Sequence, residues 1–305
     1  MQTLLERLVA EGKSLAARGR PASYIPALGK ADPGLVGLAV ADGEGRLLEA
    51  GDSRARFTIQ SVSKAFALAF ALEARGEEAV FSRVGKEPSG DPFNSIIRLE
   101  TSDRRKPFNP MINAGAIVVA SLLPGEGPEE KAEGLLSFVG RAVGRPGVGI
   151  DEGAYASEAE TASRNRSIGW FLKELGLIDG EVDACLDAYF RQCAILLDAA
   201  DLARAGALLA FDGVAPWSGE RVLSVRSART VKSLMATCGL YDGSGEFGVD
   251  AGIPAKSGVG GGIMAAAKRR LGLGTFGPAL DARGNSVAGL HMLRRLSEEL
   301  DLFSL

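Results

Sequence analysis

FTIQSVSKAFALAFALEARG, residues 57–76, changes character at Ser61. FTIQ (57–60) reads as a short extended piece. From Ser61 the chain is apolar nearly all round up to Gly76, a helix terminator. A helix apolar on every side is a buried one. Lys64 lies one turn into it, on the face of Ser61, with little solvent to reach. A serine hydroxyl attacks only when a base takes its proton, and a lysine becomes such a base when burial lowers its pKa. The helix N-terminus adds positive potential that favours an alkoxide. Isolated S-x-x-K strings are often an N-capping serine with a surface lysine. The apolar setting of Lys64 argues against that reading here.

Strand signals lie on both sides of this helix. LVGLAV (35–40) and RLLEAG (46–51), joined by Asp42-Gly43-Glu44-Gly45, form a hairpin pattern. Residues 77–225 are mainly helical in pattern, with Gly/Pro loops between. From about residue 250 the texture becomes Gly-rich and partly extended (IPAKSGVGGGIMAAA, LGLGTFGPAL, NSVAGLHML), before a closing helix. The order predicts an α/β (α+β) chain with one antiparallel sheet built from both chain ends, flanked by helices, and a helical part inserted between. The expected division is a single unit, residues 1–305. Its sheet-containing part would span about 1–60 plus 225–305, and its helical part about 61–224.

Composition narrows the chemistry. The net charge is −3 and no run of Lys and Arg stands out, so no nucleic-acid partner is expected; Arg104-Arg105-Lys106 and Lys268-Arg269-Arg270 read as solvated charges. The three cysteines, Cys185, Cys193 and Cys238, read as reduced thiols. The first twenty residues read as an amphipathic helix, with Leu4, Leu5 and Leu8 on one face and not as a signal. The longest apolar run, Ala65 to Leu72, is too short for a membrane span, and a cytoplasmic protein is expected. The one histidine, His291, sits in an amphipathic helical pattern and reads as packed or surface. A zinc site of several histidines is excluded.

A second chemical string, Lys256-Ser257-Gly258-Val259, precedes Gly260-Gly261-Gly262. Glycines let backbone N–H groups approach a substrate closely. S-x-x-K early and K-[ST]-G late is the pattern of serine penicillin-recognising enzymes, although the third element, S-D-N, is missing. Other polar strings are Asn113 at a helix start, Glu158 and Asn165 seven residues apart on one expected helix face, Tyr189 in DAYFRQC and Tyr241 in CGLYDGSGEFG. Singly, each is more often a cap or a satisfied core group.

Taken in order, QSVSK, EPSGDPFNS, NPMINAGAI, the S-E followed by R-N, YFRQC, CGLYDGSGEF, PAKSGVGGGI and GNSVAG resemble the motifs of the serine-dependent, beta-lactamase-like glutaminases over about residues 20–290. The resemblance implies a beta-lactamase/transpeptidase-like fold. It also implies hydrolysis of L-glutamine to L-glutamate and ammonia through an acyl-enzyme, with no cofactor and no metal. Ser61 would be the nucleophile and Lys64 its base. Tyr24 would match an active-site tyrosine, and Tyr24 or Tyr241 would relay a proton. Ser61, Asn113, Glu158, Asn165, Tyr189, Tyr241 and Val259 would bind substrate. The Val259 N–H would join that of Ser61 in the oxyanion hole. A homodimer or homotetramer is implied. AFDGVAPWSGE, Gly277 and IMAAAKRR depart from the family pattern outside the site positions. Two other readings remain open at this level: an enzyme acting on D-Ala peptides or beta-lactams, and a non-catalytic glutamine-binding module.

Overall fold

The computed structural model describes residues 1–90, 94–95, 99–100 and 105–304. Residues 91–93 of the EPSGDPFNS string and Arg104 fall outside these. Helix α1 (Gln2–Leu15) leads to strands β1 (Gly37–Asp42) and β2 (Leu47–Gly51). The hairpin turns where expected: Asp42 Oδ1 accepts from the Glu44 and Arg46 N–H groups, and Gly45 takes φ +78°.

Three later strands complete the sheet, β5 (Ala255–Ser257), β6 (Gly262–Ala267) and β7 (Leu271–Phe276). The spatial order is β2-β1-β7-β6-β5, antiparallel throughout. The first hairpin and the last strands thus form one sheet, with β1 against β7 (Gly37 opposite Phe276). Both faces are covered, so β1 is buried along most of its length instead of alternating. One face carries α1 and the closing helix α11 (Val287–Leu300), around Leu5, Leu8, Leu38, Val40, Met292 and Leu293. His291 faces Glu11 at 2.8 Å, tying α11 to α1. NSVAGLHML belongs to α11 and its cap, not to extended chain as part of that texture suggested.

The other face carries α8 (Ala199–Ala210), started by a capping box between Asp198 and Asp201. The sequence groups this helix with the inserted helical part; in space it lies on the sheet. Its contact explains the Gly and Ala texture. A Cβ on Gly206 would fall 2.2 Å from the Ala265 carbonyl oxygen, and one on Gly272 1.9 Å from Ala207 N. The helix backbone therefore rests almost directly on β6 and β7, and only missing side chains allow it.

The remaining helices are α2 (Ser63–Arg83), α3 (Asn113–Ser121), α4 (Pro128–Val143), α5 (Glu152–Thr161), α6 (Ser163–Glu174), α7 (Val182–Cys193), α9 (Val225–Cys238) and α10 (Ser244–Asp250). The helix α2 is buried through its first turns, as its all-round apolar pattern predicts, and its path breaks at Gly76 (φ +78°). The extended piece before it is shorter than expected. Only Phe57–Thr58 (β3) is strand, and it pairs with β4 (Leu196–Leu197), outside the main sheet. Among the described residues no helix is long and apolar enough to cross a membrane.

Candidate active site

The short β3–β4 pair sets the geometry. It carries the chain leaving α7 alongside the chain entering Ser61, and Ile59 N–H donates to the Ile195 carbonyl at 2.9 Å. Tyr189 and Cys193, on α7, are thereby brought beside Gln60 and Ser61. Gln60 to Val62 form one turn of 3₁₀ helix, and α2 follows directly. Gln60 takes φ +47°, a left-handed conformation that is strained for a residue with a side chain. The strain sits immediately before the serine.

Lys64 is 1 % exposed, and its Nζ donates to Asn113 Oδ1 at 2.6 Å. Asn113 Nδ2 in turn donates to Asn165 Oδ1 at 3.0 Å. Loss of water pushes the Lys64 pKa down to about 8, with Cys193 and Glu158 pulling weakly the other way. A lysine in this state has a sizeable neutral fraction near pH 8, as a base requires.

Glu158 lies on α5, 7 % exposed. Burial pushes its pKa up to about 7, against hydrogen bonds from Gln60 and Cys193 and the charge of Lys64. Its Oε2 is buried and has no hydrogen-bond partner among the described residues. A buried carboxylate oxygen left open is costly unless a ligand donor fills it. Glu158 and Asn165 do not ride one continuous helix, as their spacing suggested. Ala162 (φ −80°, ψ +22°) divides α5 from α6, and the two residues approach from separate helices.

These groups surround a cavity of about 130 Å³ lined by Tyr24, Gln60, Ser61, Asn113, Glu158, Asn165, Tyr189, Cys193 and Val259, among others. Tyr24 is 58 % exposed and stands at the rim. Tyr189 is buried, and desolvation first, then its coupling to Cys193 and Glu158, hold its phenol well above the usual range. Tyr241 packs against the cluster of Ala22, Val259 and Leu280 beside this cavity, its hydroxyl buried. Burial raises its pKa to about 12, while the nearby Ser61 and Ser257 side chains oppose the rise.

The glycine string arrives from β5. A Cβ on Gly258 would lie 2.3 Å from the Ile59 carbonyl oxygen and 3.1 Å from Ser61 N. One on Gly260 would lie 2.1 Å from the Thr58 carbonyl oxygen. Glycine alone lets the turn reach the Ser61 backbone and set Val259 on the cavity wall. No hydrogen bond to the Val259 N–H is found among the described residues.

Of the sequence candidates, Ser61, Tyr24, Asn113, Glu158, Asn165, Tyr189 and Val259 meet around one cavity, with Lys64 and Tyr241 behind its wall. Gln60 and Cys193 were missed. Glutamine gives no local signal for a left-handed backbone, and the FRQC cysteine reads as a core thiol until the cavity is seen. Its thiol stays protonated: burial first, then the Glu158 charge, raise its pKa well above the usual range.

The glutaminase family model matches residues 19–304 of the chain. Glutaminase 2 of Clostridium perfringens (strain 13 / Type A) is 50 % identical over 302 residues, 99 % of each chain. Among solved structures, a probable glutaminase of Bacillus subtilis is 40 % identical with a TM-score of 0.93, over 99 % of this chain and 96 % of that one. The covalent complex of a Bacillus subtilis glutaminase with 5-oxo-L-norleucine, formed by its reaction with 6-diazo-5-oxo-L-norleucine, is 39 % identical with a TM-score of 0.92, over 100 % of this chain and 99 % of that one.

Proposed function

The chain belongs to the glutaminase family, has its beta-lactamase-like fold and hydrolyses the glutamine amide bond; from that premise we propose which of its residues do so and in what order. The observation that carries the assignment is the open, buried Glu158 oxygen in the cavity whose wall holds Ser61. Glu158 Oε2 receives the substrate ammonium. Asn165 and Tyr189, with Tyr24 at the rim, receive the carboxylate as neutral donors. The γ-carbonyl then lies on Ser61, and its oxygen faces the N–H groups of Ser61 and Val259.

Neutral Lys64 takes the Ser61 proton, and the hydroxyl oxygen bonds to the γ-carbon. The tetrahedral oxyanion rests on the two backbone N–H groups. Tyr241, whose phenol is coupled to the Ser61 side chain, donates a proton to the departing nitrogen, and the C–N bond breaks to release ammonia. Lys64, now protonated, returns its proton to the tyrosine. Water then attacks the γ-glutamyl ester by the reverse relay and frees Ser61 and L-glutamate. Asn113 binds substrate in this scheme and also fixes the Lys64 amine through its carbonyl oxygen. Side chains and water suffice, with no cofactor. We place the enzyme in the cytoplasm as a homodimer or homotetramer, without nucleic-acid or membrane partners; sedimentation of the purified protein tests the assembly.

The test is labelling with 6-diazo-5-oxo-L-norleucine followed by peptide mass spectrometry, beside ammonia release from glutamine and asparagine. One label on Ser61, absent from Ser61→Ala, is the expected result. A label on another residue, or ammonia release by Ser61→Ala at the normal rate, overturns the assignment.

A further inference from the structure

Helix α5 carries the carboxylate that receives the substrate ammonium, yet it has little hold on the core. Of its ten residues only Ala154 and Glu158 are buried, and the second is the charged group itself. The burial that pushes the Glu158 pKa up to about 7 also favours an ionised carboxylate that swings out to water, taking the helix with it. Something must keep α5 seated.

Its first turn is anchored. Ile150 and Ile195 form an isolated bridge, and Asp151 N–H donates to the Ala194 carbonyl at 2.9 Å. Asp151 Oδ1 caps the helix, accepting from Ala154 N–H at 2.8 Å. The next tie is Tyr155, whose hydroxyl donates to Asp187 Oδ1 on α7. Asp187 Oδ2 accepts from Arg191 Nε at 2.8 Å, one turn further along α7. The Arg191 guanidinium lies over the Tyr155 ring, 5.0 Å from its centre, and its Nη2 donates to Glu129 Oε1 on α4 at 3.1 Å. A hydrogen bond to a carboxylate is stronger than one between neutral groups, and the stacked cation fixes the ring. Phenol, carboxylate and guanidinium form one clamp joining α5, α7 and α4. None of these four side chains is among the described residues that line the substrate cavity.

The clamp is close to the site along both helices. Tyr155 precedes Glu158 by three residues, and Asp187 precedes Tyr189 by two. Residues three apart share a helix face and move together. The seat of Tyr155 on α7 therefore sets where Glu158 stands relative to Tyr189.

We propose that Tyr155 is a positioning residue for Glu158: by bonding Asp187 under the Arg191 guanidinium, its hydroxyl holds α5 on α7 and keeps the carboxylate where the substrate ammonium arrives. The proposal rests on the reading of Glu158 as the ammonium receptor. Tyr155→Phe, Asp187→Ala, Glu158→Gln and the double variants Tyr155→Phe/Asp187→Ala and Tyr155→Phe/Glu158→Gln are compared with the unaltered enzyme in steady-state glutamine hydrolysis, each checked for folding by circular dichroism. Tyr155→Phe keeps the ring and its stacking and loses one hydroxyl. It should raise KM for glutamine by about 10- to 30-fold while kcat stays within about threefold, because the interaction lost is shared by ground state and transition state. Asp187→Ala should raise KM at least as much. Tyr155→Phe/Asp187→Ala should be no worse than Asp187→Ala, since one bond is broken either way. Tyr155→Phe/Glu158→Gln should keep the KM of Glu158→Gln within about twofold, as no carboxylate remains to be misplaced.

Normal KM in Tyr155→Phe, a fall in its kcat as large as the rise in KM, or losses that multiply with Glu158→Gln overturns the role of Tyr155 while leaving Glu158 in place. Normal KM in Glu158→Gln overturns the ammonium reading itself. If Asp187→Ala does not fold, Tyr155→Phe and its cycle with Glu158→Gln decide the question alone.

Discussion

Between α8 and the sheet the contacting residues are mostly alanine, glycine and leucine, with Met264; around Ser61 they are Lys64, Lys256, Glu158, Asn113 and Tyr189. Both regions are shut off from water. The first gains from it, since apolar area is buried and backbones meet without a side chain between them. The second pays for it. Lys64 and Glu158 are each held away from their ordinary pKa by desolvation, and the Glu158 Oε2 has no hydrogen-bond partner among the described residues. The contrast separates residues that hold the fold from residues the fold holds.

If that contrast is right, substitutions in the two regions should move activity and stability independently. Ser61→Ala should lower glutamine turnover by roughly 10⁴-fold or more with an unchanged melting curve. Near-normal ammonia release would end the assignment. Lys64→Met should lose about as much activity, yet melt no lower than the parent at pH 7, because a buried charge is removed along with the base. A large drop in Tm would mean that Lys64 stabilises the fold.

Gly272→Val should do the reverse. A side chain driven into Ala207 should cost ~3 kcal/mol of stability, while the fraction that folds keeps its kcat. Glu158→Gln should raise KM for glutamine by about 10²-fold with a smaller change in kcat, read from saturation curves. It should also raise the Tm of the ligand-free protein near neutral pH. The folded pKa of Glu158 is raised to about 7, so its contribution is full below the unfolded value of 4.5 and is lost as pH climbs through 7. A glutamine at that place does not titrate.

The smallest effect is in the pH profile. With Lys64 at about 8 and Glu158 at about 7, kcat/KM should climb from about pH 6 to 9 as the amine loses its proton and the carboxyl its own. In Glu158→Gln one of these limbs should vanish. The other should shift to lower pH, because the Glu158 charge raises the Lys64 pKa. An unmoved profile would show that Glu158 does not titrate in turnover.

The burial of Lys64 is legible in the sequence because an all-round apolar helical pattern is local and needs no tertiary knowledge. The first hairpin is legible for the same reason, through Asp42 and Gly45. What it hides are decisions made between distant segments. Helix α8 has the pattern of any buried helix, and nothing within it says that Gly206 will meet the Ala265 carbonyl. Glu158 and Asn165 keep helical spacing across a break that only their packing reveals. The glycines of β6 and β7 announce extension and turns equally well, and their actual reason lies on the opposing helix. Gln60 gives no hint of its left-handed backbone, because the segments packed around it, at Gly258, Gly260 and Ile195, are distant in sequence.

The pairing of β1 with β7, Gly37 opposite Phe276, has a consequence for biosynthesis. A nascent chain emerging from the ribosome has its first hairpin early but must wait for nearly the whole polypeptide before β1 finds its second neighbour, β7. The glycine turn that sets Val259 on the cavity wall, which comes just before β6, arrives almost as late. Until then the β1 edge is an open template for pairing with other chains. Slow or interrupted translation in the last quarter of the message should therefore yield aggregates before it yields partly active enzyme.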